Sequence, residues 1–74
     1  MRLSEFDRAM ADQFGAGAGA VRTDLALAAM GGRTAAEALA AGVAARDVWL
    51  AVCDEMDVPA ERRYGVGRLE QRRH

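Results

Sequence analysis

The chain contains no lysine, isoleucine or asparagine, and it has a single cysteine and a single proline. Codons for the three missing residues are rich in A and T, so their absence indicates a GC-rich genome. A lone cysteine cannot form a disulfide within the chain, so nothing favours an oxidising compartment. The sequence also lacks a signal peptide and any apolar run long enough to span a bilayer. We therefore expect a cytoplasmic protein.

The composition favours one small helical domain. The 74 residues are enough for a single domain, and they are rich in alanine and poor in β-branched side chains. We expect an all-α fold, a small orthogonal bundle of three to four short helices. Residues 1–61 carry five arginines and ten carboxylates, whereas residues 62–74 carry five arginines and one carboxylate. We expect a helical domain over 1–61 and a basic, flexible tail over 62–74.

The first half of the chain predicts two helices, over residues 5–14 and 21–30. Ser4 is expected to cap the first helix, and Gly15 can end it in a left-handed conformation. Glycines in residues 15–20 favour a loop or a frayed helix start. The second helix is apolar nearly all round, which is typical of a centrally buried helix; a dimerisation face is the alternative. Gly31-Gly32 is expected to end it.

The second half predicts a short helix over residues 35–41 and a longer one over 45–56. Thr34 and Glu37 have the spacing of a capping box, and Gly42 is expected to close the short helix. In the longer helix, Val48, Trp49, Val52, Cys53 and Met56 fall on one stripe. The predicted core consists of the large apolar residues Phe6, Met10, Phe14, Leu25, Leu39, Val48, Trp49 and Val52.

No group of residues has the pattern of a catalytic or metal site. Cys53 shares an apolar stripe with Trp49, and the only histidine is His74, at the far end of the basic tail. A nucleophilic thiol needs a base and a lowered pKa, so a structural thiol is favoured. A structural zinc site uses four Cys or His ligands, and the chain has two such residues. We therefore expect no catalytic residue, no cofactor and no metal.

Two surface features could meet a partner. Arg33 and Thr34 lie at a predicted helix start, where free N–H groups can hold an anion. A helix–helix corner is preferred, because the capping box uses those donors. Asp54 and Glu55 lie at a helix C-terminus, where the macrodipole disfavours acids. Pairing with Arg62 or Arg63 is preferred to a basic partner. The candidate partner surface is Arg33, Thr34, Leu50, Asp54 and Glu55.

Residues 34–52 also match the spacing of a DNA-reading helix-turn-helix at Ala38, Gly42-Val43 and Val48. Other features count against this interpretation. Glu37 stands where a buried apolar residue is expected, and Ala44-Ala45 open the second helix without groups that read bases. That helix has more acids than arginines, the wrong sign for phosphates. DNA binding is therefore the disfavoured alternative.

Several short motifs occur in an order that resembles a known family. They are Met1-Arg2-Leu3-Ser4-Glu5-Phe6, Phe14-Gly15, Gly31-Gly32-Arg33-Thr34, Glu37-Ala38-Leu39, Gly42, Val48-Trp49, Ala51-Val52-Cys53-Asp54 and Val58-Pro59. Through them, residues 1–64 resemble domain-of-unknown-function family 3046, short proteins of high-GC Gram-positive bacteria. The resemblance implies a compact bacterial helical domain without an assigned activity. Ala44-Ala45 replace the Asp-Pro helix start of that pattern, so the longer helix is expected to begin without the side-chain cap of an aspartate.

The sequence thus predicts a small non-enzymatic protein-interaction module of the cytosol. Its partner is expected to be another protein, with exposed Arg33, Leu50 and the acidic residues available for contact. A helix-turn-helix DNA-binding protein is the alternative, and membrane association is not expected.

Overall fold

The computed structural model describes residues 1–63, which fold into a small all-α bundle. Its helices are α1 (Leu3–Phe14), α2 (Ala18–Asp24), α3 (Ala35–Ala40), α4 (Ala45–Glu55) and α5 (Ala60–Arg63), with 3-10 turns at Gly15–Gly17 and Ala28–Met30. The predicted fold class is confirmed. No helix within residues 1–63 combines the length and apolar character needed to cross a membrane.

Helix α1 begins two residues earlier than predicted. The Glu5 carboxylate accepts the backbone N–H of Arg2 at 2.6 Å, so Arg2 rather than Ser4 is the N-terminal flanking residue. The cap prediction for Ser4 is wrong because a glutamate at the third helical position can reach back to satisfy this donor. Gly15 ends the helix with φ at 55°, which glycine adopts without strain.

The helix predicted over residues 21–30 does not form as one element. Helix α2 stops at Asp24, the backbone is extended at Leu25, and Leu27 is fully buried while the alanines around it are exposed. The N–H of Leu27 donates to the carbonyl of Arg33 at 2.9 Å, and the N–H of Gly32 donates to the carbonyl of Leu27 at 2.9 Å. These bonds replace helical ones. The prediction of one centrally buried helix is therefore wrong, and Leu27 is the one residue of this segment that is fully buried.

Helices α3 and α4 lie where the sequence predicts them. Thr34 and Glu37 form the expected capping box, with the Glu37 N–H donating to Thr34 Oγ1 at 3.2 Å and the Thr34 N–H donating to Glu37 Oε1 at 2.9 Å. Gly42, at φ 93°, ends α3. Helix α4 follows Ala44, which offers no side-chain cap, as the sequence suggested.

Helix α4 supplies the largest share of the core. Its residues Val48, Trp49, Ala51, Val52 and Cys53 are buried against Phe6 and Met10 of α1, Leu27, Ala35 and Ala38, and Val58. The rings of Phe6 and Trp49 meet edge to face, with centroids 6.4 Å apart. A fully buried Leu27 takes the place predicted for Leu25, which is half-buried together with Phe14 and Leu39. Met56, predicted on the apolar stripe, is 42% exposed because it follows the last turn of α4.

The start of the predicted tail belongs to the folded body. Arg62 and Arg63 form the end of α5, and Arg63 contacts the end of α4. The remainder of the predicted tail, residues 64–74, lies outside the described residues.

Candidate functional site

Arg33 lies in the loop that connects the 3-10 turn to α3. Its carbonyl accepts the N–H of Leu27, which closes this loop. Its side chain is exposed and has no hydrogen bond or ion pair with the residues that the structure describes. The guanidinium of Arg33 is therefore free for a partner.

Thr34 has a structural role in the same region. Its hydroxyl accepts the N–H of Glu37, and its own N–H donates to the Glu37 carboxylate. The backbone N–H groups of Thr34 and Glu37 are therefore both engaged in the capping box, which agrees with the helix-corner interpretation. Thr34 supports the position of Arg33 and offers little to a partner itself.

Asp54 and Glu55 both bind groups of their own chain. The Asp54 carboxylate forms an ion pair with Arg63, as the preferred pairing of the sequence analysis predicts. Glu55 accepts the backbone N–H of Ala28 at 3.1 Å and so ties α4 to the 3-10 turn. An acid at a helix C-terminus is unfavourable by itself, and these contacts offset that effect.

Leu50 lies at the centre of the side of α4 that points away from the core. Helical spacing places Arg46, Asp47 and Asp54 around it, and all three are exposed. We call these four residues the outer face of α4. Leu50 was expected to be exposed, but it is half-buried because its side chain also packs against the core. Arg46 and Asp47 make no side-chain hydrogen bond or ion pair within residues 1–63.

Arg63 fills a set of acceptors at the C-terminal end of α4. Its Nε donates to the carbonyl of Val58 at 2.8 Å, and its Nη2 donates to the carbonyl of Cys53 at 3.5 Å. Its Nη1 pairs with Asp54, and its own carbonyl accepts the indole N–H of Trp49. Charge pattern alone could suggest the pair with Asp54. The carbonyl contacts and the link to Trp49 were missed, since they depend on how the chain turns at Asp57.

Cys53, whose carbonyl accepts Nη2 of this arginine, is fully buried. Burial raises the pKa of its thiol from 9.0 to about 11, with a smaller opposing effect from Arg63 and a further increase from Asp54. The thiol is therefore protonated at neutral pH and out of reach of solvent, which agrees with a structural role. Within residues 1–63, no group of three or more Cys, His, Asp and Glu side chains is arranged to hold a metal ion.

Residues 34–52, whose spacing matches a helix-turn-helix, do contain two helices joined by a turn. Ala38 and Val48 are fully buried, and Gly42 makes the turn with φ at 93°. Glu37, the residue that contradicted the pattern, is exposed. The outer face of α4 would be the side presented to DNA, and it carries one arginine and two aspartates.

Comparison with known proteins gives one family. The sequence profile described as "Protein of unknown function (DUF3046)" matches residues 1–61. Neither the curated proteins nor the solved structures include a match to the chain.

Proposed function

Because the chain belongs to the DUF3046 family, whose description assigns no activity, we propose a function from its geometry. We propose that it is a small non-enzymatic module of the cytosol that binds another protein. The outer face of α4 is the main contact surface, and Arg33 provides a second contact.

The outer face of α4 is the observation that carries this proposal. Leu50 is half-buried and packs against the core, and the side chains of Arg46 and Asp47 beside it make no hydrogen bond or ion pair within residues 1–63. The opposite side of α4 is fixed by buried residues, so the face is presented on a rigid support. A rigid helix face with an apolar centre and a charged rim is a common docking geometry.

The state of Cys53 supports the non-enzymatic part of the proposal. A catalytic thiol needs access to substrate and a depressed pKa, whereas this thiol is buried and its pKa is raised to about 11.

Affinity capture from native cytosol, with and without nuclease, tests the proposal. The wild-type protein is compared with Asp47→Arg, Leu50→Ala and Arg33→Glu. Arg8→Glu is the matched control, because Arg8 is exposed on the side of α1 opposite Phe6 and makes no side-chain hydrogen bond or ion pair within residues 1–63. Circular dichroism checks that each variant is folded.

We expect to capture a specific protein whose recovery is unchanged by nuclease treatment and by the Arg8→Glu substitution. Its recovery should fall by about tenfold with Asp47→Arg or Leu50→Ala, which corresponds to the loss of roughly 1.4 kcal/mol of binding free energy. Equal recovery with all folded variants, or the same background proteins in every sample, would contradict the proposed surface.

A helix-turn-helix DNA-binding protein is the second candidate, and the buried Ala38 and Val48 at the α3–α4 turn favour it. The two candidates predict opposite effects of one substitution. Asp47→Arg removes an acid and adds a cation on the outer face of α4. It should therefore strengthen binding to duplex DNA and weaken the binding of a protein partner. A gel shift at low salt that increases with Asp47→Arg would favour DNA binding.

A further inference from the structure

The C-terminal end of α4 has the acceptor geometry of a guanidinium site. The carbonyls of Cys53 and Val58 and the carboxylate of Asp54 accept from three different nitrogens of Arg63. We call these three groups the arginine site. The carbonyl of Cys53 lies in the last turn of α4, at the negative end of the helix dipole, which favours a cation there. A planar guanidinium offers donors in several directions at once, whereas an ammonium offers a point charge.

The present occupant is held on a short and exposed element. Helix α5 is a single turn over Ala60–Arg63, and Ala60, Glu61 and Arg62 are exposed. Arg63 is the half-buried residue of that turn. Elements with few buried contacts open at a lower free-energy cost than the core, so the Arg63 side chain can exchange with a second guanidinium that replaces its bonds. Full opening of α5 would also break the bond from the Trp49 indole to the Arg63 carbonyl.

The acidic residues around the arginine site favour the binding of a basic protein segment. Residues 1–63 carry seven arginines and ten carboxylates, a net charge of −3. Glu55, Asp57 and Glu61 lie close in sequence to the arginine site and are exposed. These acids would attract a basic protein segment, in competition with the five arginines of residues 62–74.

We propose that the arginine site binds an arginine side chain of a partner protein, and that Arg63 fills the site within the chain until the partner's arginine replaces it. This inference rests on the proposed function, because a protein partner supplies the arginine. The inference adds the chemistry of that partner, which is a basic segment that contains arginine. It also implies that the partner displaces the Arg63 side chain of α5 from the arginine site.

The full-length variant Arg63→Met tests the inference, because methionine keeps an aliphatic stem and removes the guanidinium. The probe is N-acetyl-arginine amide, with N-acetyl-lysine amide as the chemical control. Binding is followed by the fluorescence of Trp49, the single tryptophan, and by the thermal midpoint. Arg62→Met is the matched variant, because Arg62 is exposed and Arg63 remains in place.

We expect saturable binding of the arginine probe to Arg63→Met, at least about tenfold tighter than to the wild type or Arg62→Met, in which Arg63 competes. The lysine probe should bind at least about tenfold more weakly. Adding Asp54→Asn to Arg63→Met should weaken the arginine probe by about tenfold, since one charged acceptor is lost.

Arg63→Lys gives a second test if Arg63→Met is unfolded, because lysine keeps a charge beside Asp54. The arginine probe should then displace the introduced ammonium group and change the Trp49 emission with saturation. If both variants are unfolded, the probe should restore helical circular dichroism. Equal binding of the arginine and lysine probes, or no saturable response, would overturn the site. A partner captured through the outer face of α4 would still support the proposed function in that case.

Discussion

Two residues near the end of α4 differ from what their residue types normally show. Cys53 has a raised thiol pKa, and Asp57 has a left-handed backbone. Cys53 is buried within α4, and its pKa is about 11 in place of 9.0. Asp57 follows the end of α4 with φ at 55°, a left-handed conformation that glycine adopts more easily. The composition showed a single cysteine but not that it is buried. It also gave no sign that Asp57 would adopt the left-handed backbone that is typical of glycine.

We predict that the stability contributed by Cys53 depends on pH in the alkaline range. The pKa is higher in the folded chain, so this contribution is complete below about pH 9 and is lost as the pH rises toward 11. Urea unfolding of the wild type across this range should show a steeper loss of stability than Cys53→Ala. Parallel pH profiles for the two proteins would contradict the assignment of a raised pKa.

We predict that Asp57→Gly stabilises the protein by about 0.5–1 kcal/mol. The N–H groups of Asp57 and Val58 donate to the carbonyls of Asp54 and Cys53 at 3.4 and 2.9 Å, a helix-ending geometry that normally has glycine at the left-handed residue. Relief of strain and of charge at the helix end exceeds the added entropy of the unfolded chain. Urea midpoints measure the change. Asp12→Gly, within α1, should instead lower the midpoint.

At the scale of whole elements, the two helices after Gly32 begin in different ways. Helix α3 has the Thr34–Glu37 capping box, whereas α4 begins after Ala44 without a side-chain cap. Spacing alone predicted the capping box, because it joins residues three apart. The break of the segment predicted over 21–30 was not predictable in this way, because it depends on the burial of Leu27.

We predict that Ala44→Ser stabilises α4 by about 0.5–1 kcal/mol. Ala44 already has the extended backbone of a capping residue, with φ −60° and ψ 138°, so a serine hydroxyl can accept an N–H of the first turn. Thr34→Ala should have the opposite effect and cost about 1 kcal/mol, because it removes an existing cap. Thermal unfolding of both variants measures these changes. A destabilised Ala44→Ser protein would show that this N-terminus is satisfied in another way.

At the scale of the whole molecule, one core joins α1, the loop after α2, α3 and α4. Phe6 and Trp49 make its edge-to-face contact, and the indole N–H of Trp49 also reaches the carbonyl of Arg63. A protein of this size buries roughly 60% of its unfolded surface, so its margin of stability is small. Loss of one large core side chain therefore affects the entire domain.

We predict that Trp49→Ala costs about 3–5 kcal/mol and unfolds most of the protein at room temperature. Met56→Ala is the matched control, because Met56 lies just after the same helix but is 42% exposed, and it should change stability by less than about 0.5 kcal/mol. Circular dichroism at increasing urea concentration measures both effects. Similar stability of the two variants would mean that Trp49 does not hold the core together.

Among the predicted partner-surface residues, Arg33 makes no side-chain hydrogen bond or ion pair within residues 1–63, whereas Thr34, Asp54 and Glu55 bind within the chain. The sequence could place all of them near helix ends or on an outer helix face. It could not show that Leu50 is half-buried against the core, since this depends on neighbours from other elements.

The amino-acid sequence by itself determined the helical class, the capping box at Thr34, the turn at Gly42 and the extent of α4. Each of these depends on residues only a few positions apart, so local spacing contains the necessary information. Tertiary structure decided the burial of Leu27, the bond from Ala28 to Glu55 and the contact of Trp49 with Arg63. The bond from Ala28 to Glu55 spans 27 positions of the sequence, and the contact of Trp49 with Arg63 spans 14 positions. Such contacts form only when the packing of the core brings distant segments together.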